Sequence, residues 1–135
     1  MRAWGTGSFE NDEAMAWVSG RSDTDLEPVR AVLAPVAEPD GGDVDASAGA
    51  RALVAAEVVA TLRGAPSSDL PAPVGAWIDT LPRDLPDDLI AMARAATDRV
   101  VTVPSALLER WDAASDDGIT WRAGVADLRG RLGSS

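Results

Sequence analysis

Apolar residues recur every three or four positions along most of the chain, which is the spacing of one face of an α-helix. The alternation of apolar and polar residues that is typical of a half-buried strand is nearly absent. The one β-branched run, residues 100–103, is too short to build a sheet by itself. The pattern therefore predicts an all-α fold, a single compact bundle of about six to seven short helices.

Capping residues and helix breakers separate the apolar stripes. Asn11 is expected to cap the first helix, which stops near Gly20. Pro28 falls in the first turn of the second helix, and Pro35 marks a bend or an early end. The third helix is predicted over residues 45–63. The remaining four helices follow stripes that begin at Val74, Leu89, Leu107 and Trp121.

The third predicted helix differs from the others because it has no clear polar side. Its alanines, valines and leucines spread over most of the circumference of the helix. A helix that is apolar nearly all round is typical of a buried position. We therefore expect this Ala/Val/Leu-rich helix to lie at the centre of the bundle, with the other helices around it.

Glu57 interrupts the apolar residues of this helix. An isolated buried carboxylate is costly, so we expect it to be paired or hydrogen-bonded. The preferred partner is Arg99, at the fringe of the apolar stripe of the fifth helix, and an indole N–H of Trp4 or Trp17 is the alternative. A buried, partnered acid usually holds a fold together. The second interpretation is a functional acid that faces a cleft.

The length of 135 residues fits one domain, which we predict over residues 1–132, followed by a disordered tail over residues 133–135. No secretory leader pattern follows Met1. No uninterrupted apolar run approaches the length of a membrane span. A cytoplasmic location is therefore expected.

The charge of the chain is strongly negative, with 12 arginines and no lysine against 22 acids and a formal net charge of −10. Such a field repels phosphate backbones and anionic lipid, so neither nucleic acid nor a membrane surface is an expected partner. A basic protein or a cationic ligand fits the charge better. The alternative interpretation is that the charge simply keeps the protein soluble. A composition rich in alanine, aspartate, valine and arginine but without lysine is also typical of a GC-rich bacterial genome.

Cysteine and histidine are both absent from the sequence. Disulfides, thiol nucleophiles, zinc sites with nitrogen or sulfur ligands and a histidine general base are thereby excluded. Only carboxylates and hydroxyls remain for acid–base work, which argues against catalysis. We predict no catalytic residue, no metal site and no cofactor.

The N-terminal segment is the most distinctive stretch of the sequence. In the structural interpretation its glycines let the chain turn back, its aromatic rings are buried and Asn11 caps a helix. In the functional interpretation Asn11, Asp12 and a free backbone amide of the turn form a small polar binding site. The segment reads Trp4-Gly5-Thr6-Gly7-Ser8-Phe9-Glu10-Asn11-Asp12.

The motif Trp-Gly-x-Gly-x-Phe-x-Asn-Asp resembles the opening signature of the domain of unknown function 4259 family of bacterial proteins. The resemblance extends over nearly the whole chain. It includes the Ala-rich segment 55–60, the segment 96–100 and the closing helix from Trp121 to Leu132. It implies a small helical protein and carries no catalytic residue over to this chain.

These observations favour a non-enzymatic protein-interaction module, with a basic protein as the expected partner. By analogy, a neutralising partner such as an immunity protein against a toxin suits the size and the charge. The alternative is a carboxylate-based enzyme or a divalent-cation-binding protein that uses Asp12 and Glu57. The oligomeric state is left open. The candidate binding residues are Trp4, Asn11, Asp12, Glu57 and Arg99.

Overall fold

The computed structural model describes residues 7–19, 25–38, 44–67, 70–82, 84–102, 105–114 and 116–133. This part of the chain is helical, and an isolated parallel bridge joins Val44 and Ser105. The predicted all-α bundle is confirmed. Its helices are α1 (Asp12–Val18), α2 (Glu27–Ala37), α3 (Ala46–Leu62), α4 (Ala72–Ile78), α5 (Asp87–Val100), α6 (Ala106–Asp112) and α7 (Asp116–Arg131).

Helix α3 lies at the centre of the bundle, as predicted from its apolar circumference. Twelve of its 17 residues are buried. It packs against each of the other six helices that the structure describes. At its start the side chain of Asp45 accepts a hydrogen bond from the Ala48 amide, at 2.7 Å. At its end Gly64 adopts a φ of 89°, a conformation that a glycine reaches without strain.

The local signals near the first two helices are largely confirmed. The side chain of Asn11 caps α1 by accepting a 2.7 Å hydrogen bond from the Ala14 amide. Pro28 lies in the first turn of α2. Of the two outcomes predicted for Pro35, a bend or an early end, the early end is wrong because α2 continues to Ala37. The helix carbonyl that Pro35 leaves without an amide donor belongs to Ala31, an exposed residue.

The stripe that predicts α7 is buried along its whole length. Trp121, Val125, Leu128 and Leu132 are each at most 5% exposed. At the start of α7, the ring of Trp121 stacks on that of Trp111 of α6, with the ring centroids 6.1 Å apart. A Cβ on Gly118 would lie only 2.2 Å from the Trp111 carbonyl oxygen, so this close approach of α6 and α7 requires a glycine.

Ion pairs join the helices at their exposed edges. Arg30 of α2 donates to Asp88 of α5 at 2.8 Å. This side-chain hydrogen bond holds the pKa of Asp88 below its ordinary value. Arg51 of α3 donates to Glu13 of α1. Such pairs tie the bundle together but individually contribute little to its stability.

The sequence predicts a cytoplasmic location for the chain and a disordered tail over residues 133–135. No helix in the described residues is long and apolar enough to cross a membrane. Of the predicted tail 133–135, only Gly133 belongs to the described residues. Its carbonyl accepts a 2.9 Å hydrogen bond from Arg129.

Candidate functional site

A cleft of about 520 Å³ opens between the N-terminal turn, α3 and α7, and it holds the buried acid singled out in the sequence. The turn that precedes α1 forms one wall, and α7 forms another. The connection between α3 and α4 contributes Ser67 and Pro71. The other lining residues are Gly7, Ser8, Phe9, Glu10, Met15, Glu57, Trp121, Gly124, Val125, Asp127 and Arg131.

Glu57 projects from the central helix and is 4% exposed. Its carboxylate accepts a 2.7 Å hydrogen bond from Nη1 of Arg131, in the last turn of α7. The same nitrogen lies 3.2 Å from the carbonyl oxygen of Ala65, to which it also donates. The charge of Glu57 is therefore compensated by a guanidinium that also fixes the chain just after α3.

Arg131 is shared between two carboxylates. Its Nε donates to Asp127, one helical turn earlier, at 2.8 Å. Burial by itself would lower the pKa of Arg131, but the hydrogen bonds to Glu57 and Asp127 more than offset it, so the pKa is raised. The guanidinium is thus fully charged at any physiological pH.

The N-terminal wall of the cleft is a tight turn that is closed by hydrogen bonds between Gly7 and Glu10. The Gly7 amide donates to Oε1 of Glu10 at 3.0 Å, and the Glu10 amide donates to the Gly7 carbonyl at 3.0 Å. A Cβ on Gly7 would lie 2.6 Å from Oε1 of Glu10, so a side chain at residue 7 would displace the Glu10 carboxylate from this position. Phe9 is 5% exposed and anchors the turn to the core.

The cleft combines negative charge with an apolar wall. Among the lining residues that the structure describes, Glu10, Glu57 and Asp127 carry three negative charges, and Arg131 is the only cation. The described lining is therefore formally −2. The apolar lining includes the half-buried Met15 and Pro71 as well as Trp121 and Val125, which are at most 5% exposed, and Gly124 leaves open space where a side chain would stand. This combination suits a ligand with a cationic head and an apolar stem.

The structure brings only part of the predicted site together. Glu57 lines the cleft. Asn11 is buried as the cap of α1. Asp12 is exposed in the first turn of α1 and does not line the cleft, so the hypothesised pair of Asp12 with Glu57 is not formed there. Trp4 lies outside the described residues.

The predicted partner of Glu57 was wrong. Arg99 donates to the carbonyl of Thr102 at 2.7 Å, and Glu57 is held by Arg131 instead. Trp17, the alternative partner, packs edge-on against Trp77 with the ring centroids 5.7 Å apart. Helical spacing along α5 places Arg99 near the core, but it does not say which helix end lies opposite Glu57.

Sequence reasoning missed Glu10, Asp127 and Arg131 as residues of the site. A signal for the last two was present, because Asp127 and Arg131 are four positions apart and Arg131 adjoins the buried stripe residue Leu132. Nothing in the sequence pattern places Glu10 beside α7. Within the described residues, no group of three acids is arranged to hold a metal ion.

Comparison with known proteins identifies the family. The sequence model described as "Domain of unknown function (DUF4259)" matches residues 2–124. The match covers most of the chain, which therefore belongs to this family, as the resemblance implied. No curated protein and no solved structure shows a significant match.

Proposed function

For this member of the DUF4259 family, we propose a non-enzymatic role in which the cleft between the N-terminal turn and α7 binds a basic segment of a partner protein. The observation that carries the proposal is the composition of the described lining, in which three carboxylates accompany one guanidinium that is already bound to two of them. An arginine or lysine side chain of the partner supplies positive charge to the cleft, and its methylene stem occupies the open space beside Gly124.

The state of Glu57 supports binding over catalysis. Its carboxylate is hydrogen-bonded to Arg131, and the second acid of the hypothesised pair, Asp12, does not line the cleft. An acid–base mechanism needs a carboxylate that is free to exchange a proton with a substrate. Glu57 is better described as the buried anchor that holds Arg131, and through it Asp127, in the wall of the cleft.

The outer surface favours the same class of partner. Among the described residues, fifteen acids are exposed but only three arginines are. Such an excess of negative charge steers a basic protein toward the molecule and raises the rate of association at low ionic strength. The proposed partner is therefore basic as a whole, with a cationic side chain that enters the cleft.

A pair of glycine variants tests the proposal. Gly124 and Gly130 both lie in α7, and a Cβ on either meets nothing within 4 Å, but only Gly124 lines the cleft. Gly124→Leu fills the cleft, whereas Gly130→Leu makes the same change outside it. We expect wild type and Gly130→Leu, but not Gly124→Leu, to capture a basic protein from the host. In isothermal titration calorimetry, the captured basic protein should then bind wild type and Gly130→Leu more tightly than Gly124→Leu.

A charge variant gives an independent test. Glu10→Gln removes a carboxylate from the cleft, and Asp12→Asn removes one nearby that is outside it. Titration with a short arginine-containing peptide, followed through the amide resonance of Gly124, should show binding that Glu10→Gln weakens and Asp12→Asn leaves nearly unchanged. Equal weakening in both variants would mean that only the overall charge acts, and the cleft would not be the binding site.

A further inference from the structure

The C-terminal end of α7 carries a second cluster of charged side chains, and there the sign of the local charge is reversed. Arg63 follows the last residue of α3, Arg94 lies in α5 and Arg129 lies in α7. These three arginines come from α5, α7 and the end of α3, and they meet around Gly133. In a chain with a formal net charge of −10, this concentration of cations is unusual.

Part of the cluster caps the end of the helix. Nε of Arg94 donates to the Leu132 carbonyl at 3.1 Å, and Nη1 of Arg129 donates to the Gly133 carbonyl at 2.9 Å. Nε of Arg129 also donates to Asp98 at 2.9 Å. These contacts satisfy the backbone carbonyls of the two residues that directly follow α7. They do not use Nη2 of Arg94, and they do not involve Arg63.

The two remaining nitrogens lie close together. A Cβ on Gly133 would be 3.0 Å from Nη2 of Arg63 and 3.2 Å from Nη2 of Arg94. Both nitrogens are near the same point, so they are at most about 6 Å apart. Neither arginine forms an ion pair with any carboxylate in the described part of the chain.

The charge of the described groups at this position is positive. In the part of the chain that the structure describes, the three guanidiniums and Asp98 sum to a formal charge of +2, which exceeds the roughly half negative charge at the end of a helix. The carbonyls of Leu132 and Gly133, which directly follow α7, are already hydrogen-bonded to arginines. An anion beside Arg63 and Arg94 relieves the repulsion between two like charges.

We propose that Arg63 and Arg94 form a binding site for an oxyanion, a phosphate or carboxylate group, with Arg129 adding to its field. Charge-assisted hydrogen bonds from guanidinium nitrogens to such oxygens are about 2.7–2.9 Å long, so one group bridges two nitrogens at this separation. The site is separate from the cleft and does not depend on the function proposed for it.

The experiment is a titration of the full chain with inorganic phosphate and, separately, with malonate, each followed through the amide resonance of Gly133. Arg63→Gln removes one arm of the site, and Arg63 makes no side-chain contact that the fold requires. Arg110→Gln is the control, because it removes one exposed arginine from α6. Thermal melts of both variants confirm that they fold.

We expect Arg63→Gln to weaken binding at least about 10-fold and Arg110→Gln to weaken it less than about 2-fold, since only the former loses a ligand-contacting guanidinium. Binding of phosphate alone identifies a phosphate site, and binding of malonate alone identifies a carboxylate site. The proposal is overturned if neither anion shifts the Gly133 resonance, or if both variants lose affinity equally.

Discussion

Nη1 of Arg131 lies 2.7 Å from Oε1 of Glu57, although the two residues are 74 positions apart in the chain. The side chain of Glu57 is 6% exposed and that of Arg131 is 17% exposed, so this ion pair belongs to the interior. It joins the last turn of α7 to the middle of the central helix. This buried ion pair therefore fixes the position of the α7 wall of the cleft relative to α3.

The two partners of this pair should differ in the cost of their removal. Arg131→Met leaves the carboxylate of Glu57 buried without a counter-charge, and we expect it to lower the free energy of unfolding by about 3–5 kcal/mol. Glu57→Gln should lower the free energy of unfolding by less, because Arg131 retains its hydrogen bonds to Asp127 and to the Ala65 carbonyl. Urea denaturation of both variants measures the difference. Equal and small effects would show that the pair is not buried in solution.

Gly118 should be the least replaceable glycine of α7. Gly118→Ala places a methyl group against the backbone of Trp111 and forces α6 and α7 apart, so we expect a loss of about 1–3 kcal/mol. The control is Gly130→Ala, where nothing lies within 4 Å and alanine favours the helix by about 0.5–1 kcal/mol. Thermal melts should therefore shift in opposite directions for the two variants.

The cap of α1 should contribute measurably to stability. Asn11→Ala removes the acceptor of the Ala14 amide, and we expect it to cost about 1 kcal/mol. Asn11→Asp retains an acceptor at the same position and should recover most of the loss. Chemical denaturation compares the two. An alanine variant as stable as wild type would mean that water replaces the cap.

The ion pair between Asp88 and Arg30 should stabilise the protein at neutral pH, and this stabilisation should be lost in acid. Its folded pKa lies below the ordinary value of 3.8, so the contribution is fully present above that pH and is lost as the pH falls through the folded pKa. Asp88→Asn should therefore flatten the dependence of stability on pH below about pH 4. The raised pKa of Arg131 has no such effect near neutrality, because its contribution is lost only at strongly alkaline pH.

Much of the fold follows from periodicity and caps. The all-round apolar surface of α3 predicts its central position, and the stripe from Trp121 to Leu132 predicts the buried face of α7. These predictions are confirmed because each depends only on which faces of a single helix are apolar and are therefore removed from water. The cap at Asn11 is similarly local.

The candidate site was less accessible to sequence reasoning because it depends on how separate helices meet. The burial of Glu57 was predicted, but its partner was not, since the angular position of a residue gives no information on which helix faces it. Glu10 joins the site only because a turn before α1 lies beside α7. Contacts of this kind are set by packing among helices, which a single helical period does not encode.

The central position of α3 also means that the bundle has no separable halves. Cutting the chain in any inter-helix connection leaves one fragment with the central rod and another whose apolar stripe has lost the surface against which it packed. Neither fragment has a complete interior of its own. The molecule should therefore lose its structure as a unit, and amide hydrogens in the middle of α3 should exchange with solvent only when the whole chain opens.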